Sequence, residues 1–280
     1  MQIAIVGLGL LGGSFALGLK AKHNNYRFIG VDYSAEHAAK ALSLHLVDEV
    51  LPLEEAVKKS DLIVLAIPVN AISRLISPIL DFLPENATLV DLGSTKELIC
   101  KAAHKHPKRG KFVAAHPIAG TEYSGPEAAF ASLLMNKTMI ICDKEASDAA
   151  SLKLVEQVCQ DLEMHLRYMD SAAHDLHLAY VSHLSHISSF ALGITVLDKE
   201  KDEKHIFDMA GSGFSSTVRL AKSSPQMWGP IFTQNKKNVS EALDSYIKQL
   251  QSFKDIIDKD DEEKGKELML KANDIRRILG

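Results

Sequence analysis

Short apolar runs recur through the first half of the chain, at Gln2–Val6, Arg27–Asp32, Asp61–Ile67, Ala87–Asp91, Lys111–Ala115 and Thr138–Cys142. Stretches of helical periodicity separate them, at Ala35–Leu44, Asn70–Phe82 and Lys96–Lys105, and a final helix–strand pair runs from Ser147 through Leu166. Strands that are apolar on both faces and alternate with amphipathic helices predict a parallel, doubly wound α/β sheet. After Asp170 the pattern changes. Helical spacing then continues to the end, over His174–Leu197, Ser216–Lys222, Met227–Phe253 and Lys264–Leu279. The expected organisation is an α/β domain over residues 1–168 and an all-helical domain over 169–280, with a site in the cleft between them.

The first strand runs directly into Gly7-Leu-Gly9-Leu-Leu-Gly12 and then a helix. In that context the glycine spacing has a mechanism. Gly7 permits the sharp turn, Gly9 lets backbone approach a pyrophosphate, and Gly12 lets helix and strand pack closely beneath the helix N-terminus. Asp32 closes the second strand, about twenty residues on, where an acid accepts from ribose hydroxyls and repels a 2′-phosphate. The pattern predicts a Rossmann-type domain that prefers NAD to NADP.

Bulk properties narrow the classes further. The 280 residues are 46% hydrophobic and 24% charged, which fits a folded globular protein. A net charge of −4 without a basic stripe argues against nucleic acid as a partner. Cys100, Cys142 and Cys159 lie far apart, with no metal-ligand spacing and no disulfide framework, so no metal and a reducing compartment are expected. No basic leader precedes the first strand and no apolar run reaches membrane-spanning length. The expectation is a cytoplasmic protein that does not engage membranes. The charged stretch Lys254–Lys264 reads as a solvated helix end.

Ligands of open α/β sheets bind beyond the carboxyl ends of the strands. There the sequence places Ile67-Pro68, Asp91-Leu-Gly-Ser94-Thr95, and His116-Pro117-Ile-Ala-Gly120-Thr121-Glu122. Pro117 biases His116 to extended backbone. A His at that edge suits a general base that takes a hydroxyl proton as hydride leaves carbon, with Ser94 or Thr95 orienting the imidazole or the hydroxyl. The helical half opens with His174, Asp175, His177, Ser182, His183 and His186. At about 100° per residue the four histidines point to separate sectors and cannot gather one metal. Asp175, Ser182, His186, Ser189 and Gly193 form a narrow polar stripe, expected to wall a wet cleft. Opposite it lies a broad apolar face of Leu176, Tyr180, Leu184, Ile187, Ala191 and Ile194. A Gly-rich turn at Gly211–Gly213 then leads to Arg219, whose guanidinium offers a fork for a carboxylate, and to Trp228.

Taken in order, Gly7/Gly9/Gly12, Asp91-Leu-Gly-Ser94, His116-Pro-x-Ala-Gly120, His174-Asp175 with Ser182-His183-Leu-x-His186, Gly213-Phe214 with Arg219-x-Ala221, and Ser224-Pro225-x-x-Trp228 resemble the prephenate/arogenate dehydrogenase (TyrA) family. The His-Pro-x-Ala-Gly loop and the histidine helix are its specific parts, and the matches span nearly the whole chain. The resemblance implies NAD-dependent oxidative decarboxylation of prephenate to 4-hydroxyphenylpyruvate, in tyrosine biosynthesis. It assigns His116 to the ring hydroxyl, with Ser94 supporting it. It assigns His186 and Arg219 to substrate carboxylates, Ser182 and Thr121 to the substrate pocket, and His174 to the cofactor end of the cleft. Glu122 pairs with Arg219 when substrate is absent. The cofactor contacts are expected at Gly7, Gly9, Leu10, Leu11, Gly12, Asp32, Ile67, Pro68 and Ser94. A homodimer through the helical domain follows from the same resemblance.

The sequence departs from the family at Ser185, where many members have proline, so no kink is expected there. Ser215-Ser216 stands where charged residues are frequent and leaves Arg219 without that support. With the chain ending at Gly280, feedback by tyrosine is expected to act at the active site. Three other readings compete: arogenate as substrate, another two-domain dehydrogenase of the β-hydroxyacid or pyrroline-carboxylate reductase type, and a non-catalytic NAD-sensing module. The absence of lysine between Lys153 and Lys199 counts against the hydroxyacid type.

Overall fold

The computed structural model describes residues 1–279. Its first part is one eight-stranded sheet: β1 (Gln2–Val6), β2 (Arg27–Val31), β3 (Glu49–Val50), β4 (Leu62–Leu65), β5 (Thr88–Asp91), β6 (Phe112–Pro117), β7 (Thr138–Cys142) and β8 (His165–Met169). Its helices are α1 (Leu10–Lys20), α2 (Ala35–Ser43), α3 (Leu53–Lys59), α4 (Val69–Phe82), α5 (Glu97–Ala103) and α6 (Ala149–Asp161). The spatial order is β3-β2-β1-β4-β5-β6-β7-β8. The order reverses between β1 and β4, which opens a crevice between the glycine turn and Ile67-Pro68.

The sheet is parallel only as far as β6. β7 pairs antiparallel with β6, and β8 then runs parallel to β7. A parallel return needs a crossover element. Between Ile118 and Lys137 the chain forms only a short 3₁₀ turn at Pro126–Ala128, so it comes back antiparallel. Neither β3 nor α3 was foreseen. Both are short.

Alternation along the strands builds two cores. Ala4, Val6, Ile63, Leu65, Leu89, Phe112 and Ala114 face α4 and α5, while Ile3, Ile5, Leu62, Val64, Val90 and Val113 face α1 and α6. Trp228, Ile231 and Leu178 join the first core, which seats the helical part on the sheet.

The helical part comprises α7 (Ser171–Leu178), α8 (Leu184–Asp202), α9 (Ser212–Thr217), α10 (Pro225–Gln234), α11 (Lys236–Asp258), α12 (Glu262–Ala272) and α13 (Arg276–Leu279). The expected helix over Met227–Phe253 is two helices that meet at Asn235. The expected helix over His174–Leu197 is continuous but contains a π-turn at Ala179–His183. The apolar face anticipated for it divides: Leu176, Tyr180, Ala191 and Ile194 are exposed on the single chain, whereas Leu184 and Ile187 are partly buried against Ala179, Val239 and Ala242. Among the described residues no helix is long and apolar enough to cross a membrane.

Candidate active site

The glycine turn is shaped for a ligand. Gly7 has φ +98°, and its N–H donates to Val31 O at 2.8 Å, closing the turn. A Cβ on Gly12 would lie 2.0 Å from Gly7 O, so only glycine lets α1 sit this close. A Cβ on Gly9 would meet nothing within 4 Å: this is the open backbone that a pyrophosphate can approach. Leu10 and Leu11 begin α1 above it, and Ile67 Cγ2 packs at the turn, 2.8 Å from where a Gly7 Cβ would stand. Pro68 precedes the first residue of α4 on the other side of the crevice. Asp32 is held in place, with Oδ2 accepting from Leu8 N–H and Oδ1 from Ser34 N–H, each at 2.9 Å. The residues present fit a dinucleotide with free adenosine ribose hydroxyls.

His116 closes the carboxyl end of β6 and is 8% exposed. Its Nδ1 lies 2.8 Å from His174 Nε2, and His174 Nδ1 lies 2.8 Å from Asp175 Oδ1. Asp175 in turn accepts from the backbone N–H groups of Lys96 (2.7 Å) and Glu97 (3.0 Å), at the start of α5. Among the described residues His116 Nε2 has no hydrogen-bond partner, yet it is not sealed from solvent. Burial, then the neighbouring His174, holds the His116 imidazole well below its ordinary pKa, and burial lowers His174 as well. His116 therefore stands neutral at the cleft with one unpaired ring nitrogen. Beneath it the ammonium of Lys96, wholly buried, pairs with Asp91 and donates to Ala115 O at 2.8 Å, fixing the backbone that carries His116.

Two expectations need correction here. His174 does not line the cofactor end of the cleft, because it is fully buried with both ring nitrogens engaged. Thr95 does not orient the imidazole, because its hydroxyl donates to Gln234 Oε1 at 2.8 Å across the two halves. Ser94 stays half-buried at the rim.

The opposite wall comes from the helical part. His186 stacks on Trp228, with ring centroids 3.5 Å apart, and its Nδ1 donates to Ser182 O at 3.0 Å. Burial, then Arg219, lowers its pKa. Arg219 pairs with Glu122 at 3.3 Å, joining the loop after β6 to the helical part. Thr121, beside Glu122, accepts from Tyr123 N–H and shapes that loop. Arg219 does not lack support. Ser189 Oγ donates to Thr217 O and accepts from Ala221 N–H, each at 3.0 Å, which clamps the turn carrying Arg219 against α8. Ser189 and Asp175 are thus buried staples rather than parts of a wet wall.

The π-turn explains what helical-wheel reasoning missed. On an unbroken helix His186 would lie about 120° from His174, but five residues at about 80° each reduce this to roughly 20°. The same adjustment moves His183 from about 80° away to within roughly 20° of the bearing of Asp175. His183 Nδ1 accepts from Asn235 Nδ2 at 3.2 Å, and Asn235 Nδ2 also donates to Asp175 O at 2.6 Å. His183 Nε2 and Trp228 Nε1 are buried beside each other without a partner among the described residues. Among those residues no three His, Cys, Asp or Glu gather as metal ligands.

A glycine-turn crevice, a neutral imidazole at a strand's carboxyl end and a cation across the cleft define a nicotinamide-dependent dehydrogenase. Sequence comparison specifies the family. Residues 15–168 match the nucleotide-binding domain of prephenate dehydrogenase, and residues 170–271 match its dimerization domain. The chain belongs to the prephenate dehydrogenase family. It is 30% identical over 264 residues to prephenate dehydrogenase of Bacillus subtilis, covering 93% of this chain and 71% of that one. It is 29% identical to cyclohexadienyl dehydrogenase of Zymomonas mobilis, over 91% of this chain and 88% of the relative. A structure of the Aquifex aeolicus prephenate dehydrogenase with hydroxyphenyl propionate and NAD+ superposes with TM-score 0.89 at 35% identity, covering 99% of this chain and 97% of that one. Synechocystis arogenate dehydrogenase gives TM-score 0.79 at 27% identity, over the whole of both chains. The dimerization-domain match supports a dimer.

Proposed function

We propose that the protein catalyses oxidative decarboxylation of prephenate to 4-hydroxyphenylpyruvate. The observation that carries this reading is His116: neutral, at the carboxyl end of β6, with Nε2 free at the cleft. Gly7, Gly9, Leu10, Leu11, Gly12, Asp32, Ile67 and Pro68 would hold NAD, and Ser94 would stand at its nicotinamide end. Once bound, NAD supplies the acceptor for the hydride lost from the ring carbon that bears the hydroxyl. As that hydride departs, His116 Nε2 takes the hydroxyl proton, so no positive charge accumulates on oxygen. The ring carboxylate then leaves as CO2, and its bonding electrons complete the aromatic ring. His116 returns the proton to the phenolate oxygen, so the step is neutral in protons. Aromatisation makes it effectively irreversible.

Arg219 and His186 would bind the substrate carboxylates. His186 donates through Nδ1 to Ser182 O, so it can hold an anion at Nε2 only as imidazolium, and the anion itself favours that state. The enzyme would act as a homodimer in the cytoplasm, and its three free, buried cysteines agree with a reducing compartment. Steady-state turnover with prephenate and with arogenate, each with NAD and with NADP, tests the assignment. We expect turnover with prephenate and NAD. Faster turnover of arogenate would move the substrate to the amino acid, and no turnover of either would overturn the reading.

A further inference from the structure

Resting on His116 as the base, we propose that Asp175 and His174 are positioning residues that lock His116 in the Nδ1-protonated tautomer and so present Nε2 as the acceptor. The argument is one of hydrogen-bond direction. An ionised carboxylate only accepts. Asp175 already accepts from two backbone N–H groups, so His174 Nδ1, 2.8 Å from Oδ1, must carry the proton of that contact. In a neutral His174 the other nitrogen is then bare. His174 Nε2 must accept, and His116 Nδ1 must donate across their 2.8 Å contact. Neutral His116 is left with its lone pair on Nε2, the nitrogen without a protein partner. Free neutral histidine prefers its proton on Nε2, so without the relay this base would present a hydrogen where it needs a lone pair.

The relay spans the two halves of the molecule. His116 belongs to the sheet, His174 and Asp175 lie on α7, and the amides that anchor Asp175 begin α5. The other charged or titratable groups facing the pair are Lys96, Asp91 and His183. Lys96 is consumed by Asp91 and Ala115 O, and His183 is engaged at Nδ1 by Asn235, so neither competes for the His116–His174 contact. When His116 takes a proton, its Nδ1–H bond to His174 becomes charge-assisted, and the carboxylate behind His174 stabilises the new charge.

The direct test is long-range ¹H–¹⁵N NMR on ¹⁵N-histidine-labelled protein without substrate, assigned with His116→Gln and His174→Gln. We expect both rings protonated on Nδ1. A His116 protonated on Nε2 overturns the proposal. Kinetics give the second arm. In Asp175→Asn one of the two oxygens that accept from Lys96 N–H, Glu97 N–H and His174 Nδ1–H becomes an NH2 donor, so the anionic anchor of the relay is lost and His116 is no longer held with its lone pair on Nε2. kcat should fall by about 10²- to 10⁴-fold, as in triads whose carboxylate becomes an amide, with KM values for substrate and NAD within about threefold. Wild-type kcat in Asp175→Asn overturns the proposal. His174→Gln can donate to Asp175 and accept from His116, so it should keep kcat within about tenfold of the wild type, whereas His174→Phe should match Asp175→Asn. Equal loss in the Gln and Phe variants overturns tautomer locking in favour of proton transfer through His174. The NMR arm needs no substrate, so a wrong substrate assignment would show as an inactive wild type with the tautomers still readable.

Discussion

Removing the guanidinium of Arg219 separates substrate binding from catalysis and from stability. Its ion pair with Glu122 spans 3.3 Å, but the side chains are 51% and 24% exposed. Coulomb attraction at that distance in a water-like dielectric is about 1.3 kcal/mol, and measured exposed pairs retain about 0–1 kcal/mol. Arg219→Ala should therefore leave Tm nearly unchanged. A substrate carboxylate bound by the same fork makes charge-assisted bonds worth about 1.5–3 kcal/mol, so KM should rise roughly 10- to 150-fold with kcat within about threefold. Glu122 then acts as a competitor for Arg219. Glu122→Gln should lower KM for prephenate by at most about fivefold, the whole value of the surface pair. For arogenate, whose ammonium group can use a carboxylate, the same change should raise KM. The double variant should resemble Arg219→Ala, because the competitor has nothing left to compete for. Steady-state kinetics with each substrate and a thermal melt measure all of this. An unchanged KM in Arg219→Ala, or a loss confined to kcat, would refute Arg219 as a carboxylate clamp.

Asp32→Asn removes the charge that would face the adenosine ribose in the proposed NAD site, and gives up one of the two bonds that Asp32 accepts from Leu8 N–H and Ser34 N–H. The ratio of kcat/KM for NAD over NADP should fall by about tenfold or more, and an unchanged ratio would show that discrimination lies elsewhere. Ser189→Ala removes the buried hydroxyl that joins the Thr217 carbonyl to the Ala221 N–H, both of them only part-buried bonds. It should cost about 0.5–1.5 kcal/mol, lower Tm by a few degrees and raise KM through a loosened Arg219, and a purely local defect would leave KM alone. Burial depresses the pKa of His116, His174, His183 and His186, taking His183 down to about 4. The unfolded chain binds these protons near about 6.5, so stability is full above that pH and is lost as pH falls toward 4. A Tm flat from neutrality to pH 4 would contradict this.

What was legible in the sequence followed from periodicity and from groups whose chemistry depends on their immediate neighbours. Gly7 and Gly12 do what their spacing implied, because a tight turn and a close helix–strand approach are local demands. His116 followed from its place at a strand's end. The antiparallel β7 was not legible, because direction depends on whether the intervening segment forms a crossover, and 118–137 carries no pattern that says so. Asp175, His174 and Asn235 were hidden for a different reason. Their partners lie on other elements: the α5 amides, His116 and His183. A helical wheel drawn with a constant step cannot place them, since the π-turn removes about a quarter of a revolution at Ala179–His183. That local underwinding turns His183 and His186 inward with His174 and Asp175, while Leu176 and Tyr180 remain outward. One irregular turn thus sorts a single run of sequence into a catalytic face and an outward apolar one. It costs some helix regularity, which persists because Asn235, Trp228 and Ser189 hold the flanking helices in that rotation.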